Sequence, residues 1–167
     1  MKLHHLILVG FFSLVFVSCN LNGKSERTPF INLRAMHIVG SDTTFLSFTN
    51  TTLDTISVGD TILFQTLLGS NDLGYLQECE ITSSRAKSVE FIWDSKDSLD
   101  AVFTSASDYD KGLFVMPGTF RLLFFPFQYV AKEAEEDLTL TFMVQTTGSQ
   151  DYNKNALTIR TPIKERE

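Results

Sequence analysis

The sequence predicts an all-β fold, an antiparallel β-sandwich of about seven to nine short strands, and three observations predict it. Beyond residue 30 the dominant hydrophobic period is two, the spacing that sends alternate side chains to opposite faces of a strand. Turn-forming clusters ("GSD", "VGD", "GSND", "DYDKG", "MPG", "TTGSQ") interrupt that pattern at short intervals. No window of a dozen residues sustains a helical period. A small closed β-barrel of similar strands is the alternative architecture.

In chain order, the strand candidates are Ala35–Val39, Thr44–Thr49, Thr61–Leu68, Tyr75–Thr82, Val89–Trp93, Leu113–Met116 and Thr119–Phe125. Two later stretches are the clearest. In "LTLTFMVQT", Leu138, Leu140, Phe142 and Val144 share one face, with Thr139, Thr141 and Gln145 on the other. In "ALTIRTPI", Leu157, Ile159, Thr161 and Ile163 alternate with Thr158, Arg160 and Pro162. One packed and one wet face is the mark of an antiparallel sheet. "AKEAEED", Ala131 to Asp137, is expected to form a short helical turn. The stretch "FRLLFFPFQYV" carries apolar residues on both faces, so its strand is either covered twice or leaves one face open for a partner. Pro126 cannot donate to a ladder and is read as a strand end, an edge or a bulge.

The first residues are of another kind. Lys2 precedes an apolar run from Leu6 to Val17. At twelve residues the run is shorter than the roughly 20 a membrane-spanning helix needs, and has the shape of a signal peptide. Phe16-Val17-Ser18-Cys19, which ends it, resembles the lipobox of bacterial lipoproteins, where a small residue precedes the acylated cysteine. The resemblance implies cleavage between Ser18 and Cys19 and attachment of a diacylglyceryl group to the Cys19 thiol. The new amino terminus then receives a further chain such as palmitate. One acyl chain holds a protein only marginally at a membrane, whereas two or three hold it durably. Asn20 lacks the aspartate that retains many lipoproteins at the inner membrane, which implies the outer membrane of a bacterial envelope. The organisation expected is a signal peptide over 1–18, a lipid-anchored tether over 19–30 and a single sandwich domain over 31–167. Two further stretches resemble immunoglobulin-like sandwich modules: "ISVGDTILF", Ile56 to Phe64, and "PGTFRLLF", Pro117 to Phe124.

Charge and cysteine content narrow the function. The formal net charge is −6, and removing Lys2 with the leader makes it more negative. So acidic a surface repels phosphate backbones and excludes nucleic acid as an expected partner. With Cys19 acylated, Cys79 has no partner for a disulfide; its strand parity with Tyr75 and Ile81 makes it a small core residue. After cleavage His37 is the only histidine left, expected in a structural or surface role. No nucleophile elbow, glycine-rich phosphate loop or histidine-rich metal set is present, so no catalytic residue is assigned.

The remaining candidates are binding and modification residues. Phe124, Phe125, Phe127 and Tyr129 are read as core, with an aromatic platform for a sugar or apolar ligand as the alternative. Asp108 and Asp110 in "DYDKG" are similar to the start of a calcium loop, although Leu113 and Thr119 stand where an EF-hand has glycine and glutamate. Solvated loops are the simpler account of these and of the clusters Asp94/Asp97/Asp100 and Glu133/Glu135/Glu136/Asp137. Thr43, Thr55, Thr61 and Ser98 each follow an aspartate and precede an apolar residue or threonine, which resembles the acceptor motif of a bacterial O-glycosylation system. The function expected is a non-catalytic envelope lipoprotein that binds a protein or glycan partner or joins an assembly. A carboxylate-dependent hydrolase and a calcium-stabilised adhesion module are the alternatives.

Overall fold

The computed structural model describes residues 28–71, 74–148 and 152–166. The described residues form an all-β sandwich, with no closed barrel among them. Its first sheet contains β1 (Phe30–Val39), β2 (Asp42–Leu46), β6 (Thr61–Gly69), β8 (Val89–Ile92) and β10 (Leu122–Ala131), in the order β2-β1-β6-β10-β8. The second contains β3 (Phe48–Thr49), β4 (Thr52–Leu53), β7 (Leu76–Ser83), β9 (Leu113–Val115), β11 (Thr139–Thr146) and β12 (Lys154–Arg160), in the order β3-β4-β12-β11-β7-β9. A short pair, β5 (Ile56–Ser57) and β13 (Ile163–Lys164), closes one end. The runs β1-β6-β10-β8 and β12-β11-β7 have the neighbour order of the A-B-E-D and G-F-C sheets of immunoglobulin domains. Pairing is antiparallel except where β12 meets β4 and β13 meets β5.

The core lies between the facing sides of the two sheets. Ala35, Ile62, Phe64, Leu68, Phe125, Phe127 and Tyr129 from the first sheet meet Cys79, Ile81, Phe114, Leu140, Phe142, Val144 and Ile159 from the second. Aromatic rings join the layers: Phe64 and Phe127 stand 5.7 and 6.0 Å from Phe142, and Phe125 is 4.7 Å from Phe114. The connection between β8 and β9 closes one flank, sending Leu99 and Phe103 inward. It carries a short helix, α1 (Lys96–Asp100), whose first turn is capped when Ser95 Oγ accepts from the Ser98 N–H.

One expectation about local structure is corrected. "AKEAEED" forms no helical turn: Glu135 bridges to Ile163, its carboxylate lies 3.4 Å from Arg85, and Asp137 pairs with Arg160 at 2.8 Å. The helix falls instead in "DSKDSLD", where the serine cap and buried Leu99 favour it. Of the three readings of Pro126, the edge is the one realised. Pro126 faces Gln65 in the middle of β10, beyond the reach of β8, which pairs only with Gln128 to Ala131. There β10 is the edge of the sheet, where a missing N–H costs no ladder bond.

A register shift between Gln145 and Thr146 puts Leu76 in the core and turns Tyr75 out, so Tyr75 does not share the inward parity of Cys79. Cys79 itself is buried, and burial, reinforced by Glu80 and Glu78, pushes its thiol pKa from 9.0 up to about 12. Burial also raises the phenol of Tyr129. In both groups the folded chain holds the proton more tightly than the unfolded chain does. Their stabilisation is therefore complete below the ordinary thiol value of 9.0 and is lost as pH rises toward about 12. The urea midpoint should hold steady up to that lower value and then fall; a midpoint unchanged through the alkaline range would refute this. In the native state Cys79 should resist thiol reagents until the chain unfolds.

Candidate functional site

Ser18 and Cys19, the expected cleavage and acylation residues, lie outside the described residues. Among the described residues no helix is long and apolar enough to cross a membrane.

The aromatic platform is dissolved by strand parity. Phe125, Phe127 and Tyr129 point into the sandwich and are buried, while Phe124 alone of the four points out and is 56% exposed. Phe127 stacks on Phe64 at 5.4 Å and Tyr129 on the same ring at 5.7 Å, so both are committed to the core. The open-face alternative for this strand is the one realised: Leu122 and Phe124 are exposed on its outer side.

The run with calcium-loop spacing serves a turn. Asp108 caps a 3-10 turn over Tyr109–Lys111 by accepting from the Lys111 N–H, and its carboxylate pairs with Lys111 Nζ at 2.6 Å. That contact holds the Asp108 carboxyl below its usual range. Asp110 is solvent-exposed beside it, and Gly112 leaves the turn at φ 70°. Asp100 accepts from the Tyr109 hydroxyl at 2.8 Å. Among the described residues no group of three or more His, Cys, Asp or Glu converges to hold a metal ion. Adding calcium is accordingly expected to leave the melting temperature unchanged, and a rise on titration would restore the calcium reading.

The four Asp-Ser/Thr positions separate by environment. Thr43 on β2, Thr55 between β4 and β5, and Ser98 on α1 are exposed; Thr61 at the start of β6 is half-buried. The aspartate before Thr61 is not free. Asp60 is buried, accepts from the Ser57 N–H at 2.8 Å, pairs with Arg166 and lies 3.3 Å from His37 Nε2. That carboxylate ties the end of the chain and β1 to the β5–β6 turn, which is the structural role expected of His37.

The feature that the sequence hides is the outer face of the first sheet. Registration aligns Phe45, Met36, Leu63, Gln128 and Ile92 in one row across β2, β1, β6, β10 and β8. Phe45 is 71% and Ile92 43% exposed. At the β8 end of the row, Leu63, Ile92, Trp93, Asp94, Pro126 and Gln128 line a depression of about 290 Å³. On the outer face of the second sheet the rows Thr82-Thr141-Thr158 and Glu78-Gln145-Lys154 are polar, with the mixed row Glu80-Met143-Ala156 between them. The first sheet differs in exposing the large apolar side chains of Phe45 and Ile92 at the two ends of a row in which Met36 is buried and Leu63 half-buried.

The described residues form a sandwich whose first sheet exposes Phe45, Ile92, Leu122 and Phe124 on its outer face. Compared with known proteins, the chain matches no family model and no curated protein sequence.

Proposed function

We propose that this chain is a non-catalytic lipoprotein of the bacterial envelope, anchored through Cys19 and displaying a β-sandwich that binds a protein partner through the outer face of its first sheet. The carrying observation is the exposure of Phe45 and Ile92 in one row of the outer face of the first sheet, with half-buried Leu63 between them. Large apolar side chains left exposed beside a depression are what a protein interface uses. Burial of Phe125, Phe127 and Tyr129 removes the geometric argument for a sugar platform and favours protein over glycan.

Two measurements test the reading separately. Cys19→Ala should abolish acyl labelling in the native host and leave the chain unprocessed or soluble; acyl labelling that persists would disprove the anchor. A photo-crosslinking residue introduced at Phe45 should capture one discrete partner from intact cells, with capture lost in Ile92→Asp. Phe45 and Ile92 are exposed, so neither change should shift the urea midpoint beyond about 0.5 kcal/mol in stability. Capture unaffected by Ile92→Asp would remove this face as the interface.

A further inference from the structure

A second apolar surface lies at the end of the sandwich where the described chain begins, and takes in the end of the same outer face at Leu122 and Phe124. Thr28 and Pro29 are fixed there: the Thr28 carbonyl accepts from Asn71 Nδ2 at 2.6 Å, and the Pro29 carbonyl from Asn155 Nδ2 at 2.8 Å. Phe30 follows, its ring filling the space that a side chain on Gly69 would need. The same end holds Tyr75, Leu122, Phe124 and Tyr152, which are 40, 57, 56 and 38% exposed. Leu122 is the ladder partner of Gly69, and Phe124 that of Leu67. Tyr75 is joined to the neighbouring loop through Thr147 and carries Arg121 over its ring at 5.2 Å.

The charges of this end are mixed. Among its described residues they are Arg34, Arg121 and Lys154, with Glu78 in the same row as Lys154 through Gln145. Asp72 and Asp151 belong to the same two loops but fall outside the described residues. At the opposite end acidic residues are paired with basic ones: Asp60 with Arg166, Glu135 with Arg85, Asp137 with Arg160. Tyrosine, phenylalanine and leucine beside arginine form the composition that settles at the boundary between headgroups and acyl chains.

We propose that this end is a membrane-contact surface, on which Leu122, Phe124, Tyr75 and Tyr152 enter the lipid interface and hold the domain in a fixed orientation. The proposal rests on acylation of Cys19. Cys19 and Thr28 are nine positions apart, and even fully extended that spacing covers no more than about 32 Å, so the anchor brings this end to the bilayer and keeps it there. With the sandwich standing on this end, the row through Phe45 and Ile92 is presented to one side, clear of the lipid.

The test uses the full acylated chain, reconstituted into vesicles of phosphatidylethanolamine and phosphatidylglycerol with brominated acyl chains. Bromine quenches tryptophan only on contact. Phe124→Trp and Phe45→Trp change exposed aromatic positions at the two locations, and the signal of Trp93 is measured in the parent protein and subtracted. Quenching of the tryptophan introduced by Phe124→Trp, with none for Phe45→Trp, is expected. Mass analysis of the amino-terminal peptide establishes acylation independently. Acylated protein without quenching in Phe124→Trp overturns the contact surface and leaves the anchor standing, and equal quenching in both variants overturns the orientation. An unmodified Cys19 overturns the anchor and the contact surface with it.

Discussion

Phe64→Ala is expected to destabilise the sandwich by about 3–5 kcal/mol, much of the roughly 5–15 kcal/mol that a domain of this size commands. Phe64 is fully buried on β6, the central strand of the first sheet. Its ring is shared by Phe127 and Tyr129 on the neighbouring strand and by Phe142 across the interface, at 5.4, 5.7 and 5.7 Å. Three of its neighbours are therefore ring systems held on regular strands, which cannot collapse into the space left behind. The cavity should remain open, which places the cost high in the range. Chemical denaturation of purified protein reads it directly, and a loss below about 1.5 kcal/mol would mean that the two layers repack freely.

Gly112→Ala is expected to cost about 2–4 kcal/mol, although it adds only one methyl group to a turn. Gly112 has φ 70°, and a Cβ there would collide with the carbonyl oxygen of Ile81. That oxygen belongs to the backbone of β7 and cannot swing aside. The Ile81 N–H also donates to the Gly112 carbonyl at 2.9 Å, so any retreat of the turn breaks the contact that seats it on the strand. Gly118 provides the control. It has φ 71° with nothing within 4 Å of the added atom, so Gly118→Ala should show only the conformational cost of about 1–2 kcal/mol. Equal losses in the two variants would mean that the Ile81 contact is immaterial.

Much of the fold is legible because strand faces write themselves as alternation. Period alone assigns Leu138, Leu140, Phe142 and Val144 to one face, and all four are fully buried. Ile159, Thr161 and Ile163 behave likewise, although the single strand their alternation suggests breaks at Arg160 and resumes as β13. What the sequence conceals depends on relations between segments. Pro126 reads equally as a strand end, an edge or a bulge until β8 is seen to stop short of it. The helical composition of "AKEAEED" yields to ion pairs with Arg85 and Arg160, which are distant in sequence. The row of Phe45, Met36, Leu63 and Ile92 is hidden for the same reason: each residue is ordinary on its own strand, and only the registers of four ladders bring them into line. The open outer face of β10 is the one readable hint, since apolar residues on both sides of a strand demand a second covering.

The position of β1 has a mechanical consequence. The chain enters at Thr28 and continues directly into β1, which is bonded to β6 through nine registered pairs, from Phe30–Gly69 to Ile38–Thr61, and to β2 on its other side. Tension arriving along the entering chain runs parallel to that strand. It loads the ladder bonds side by side, in shear, so that they must fail together instead of parting one after another. A domain held from this end resists pulling in its strongest direction.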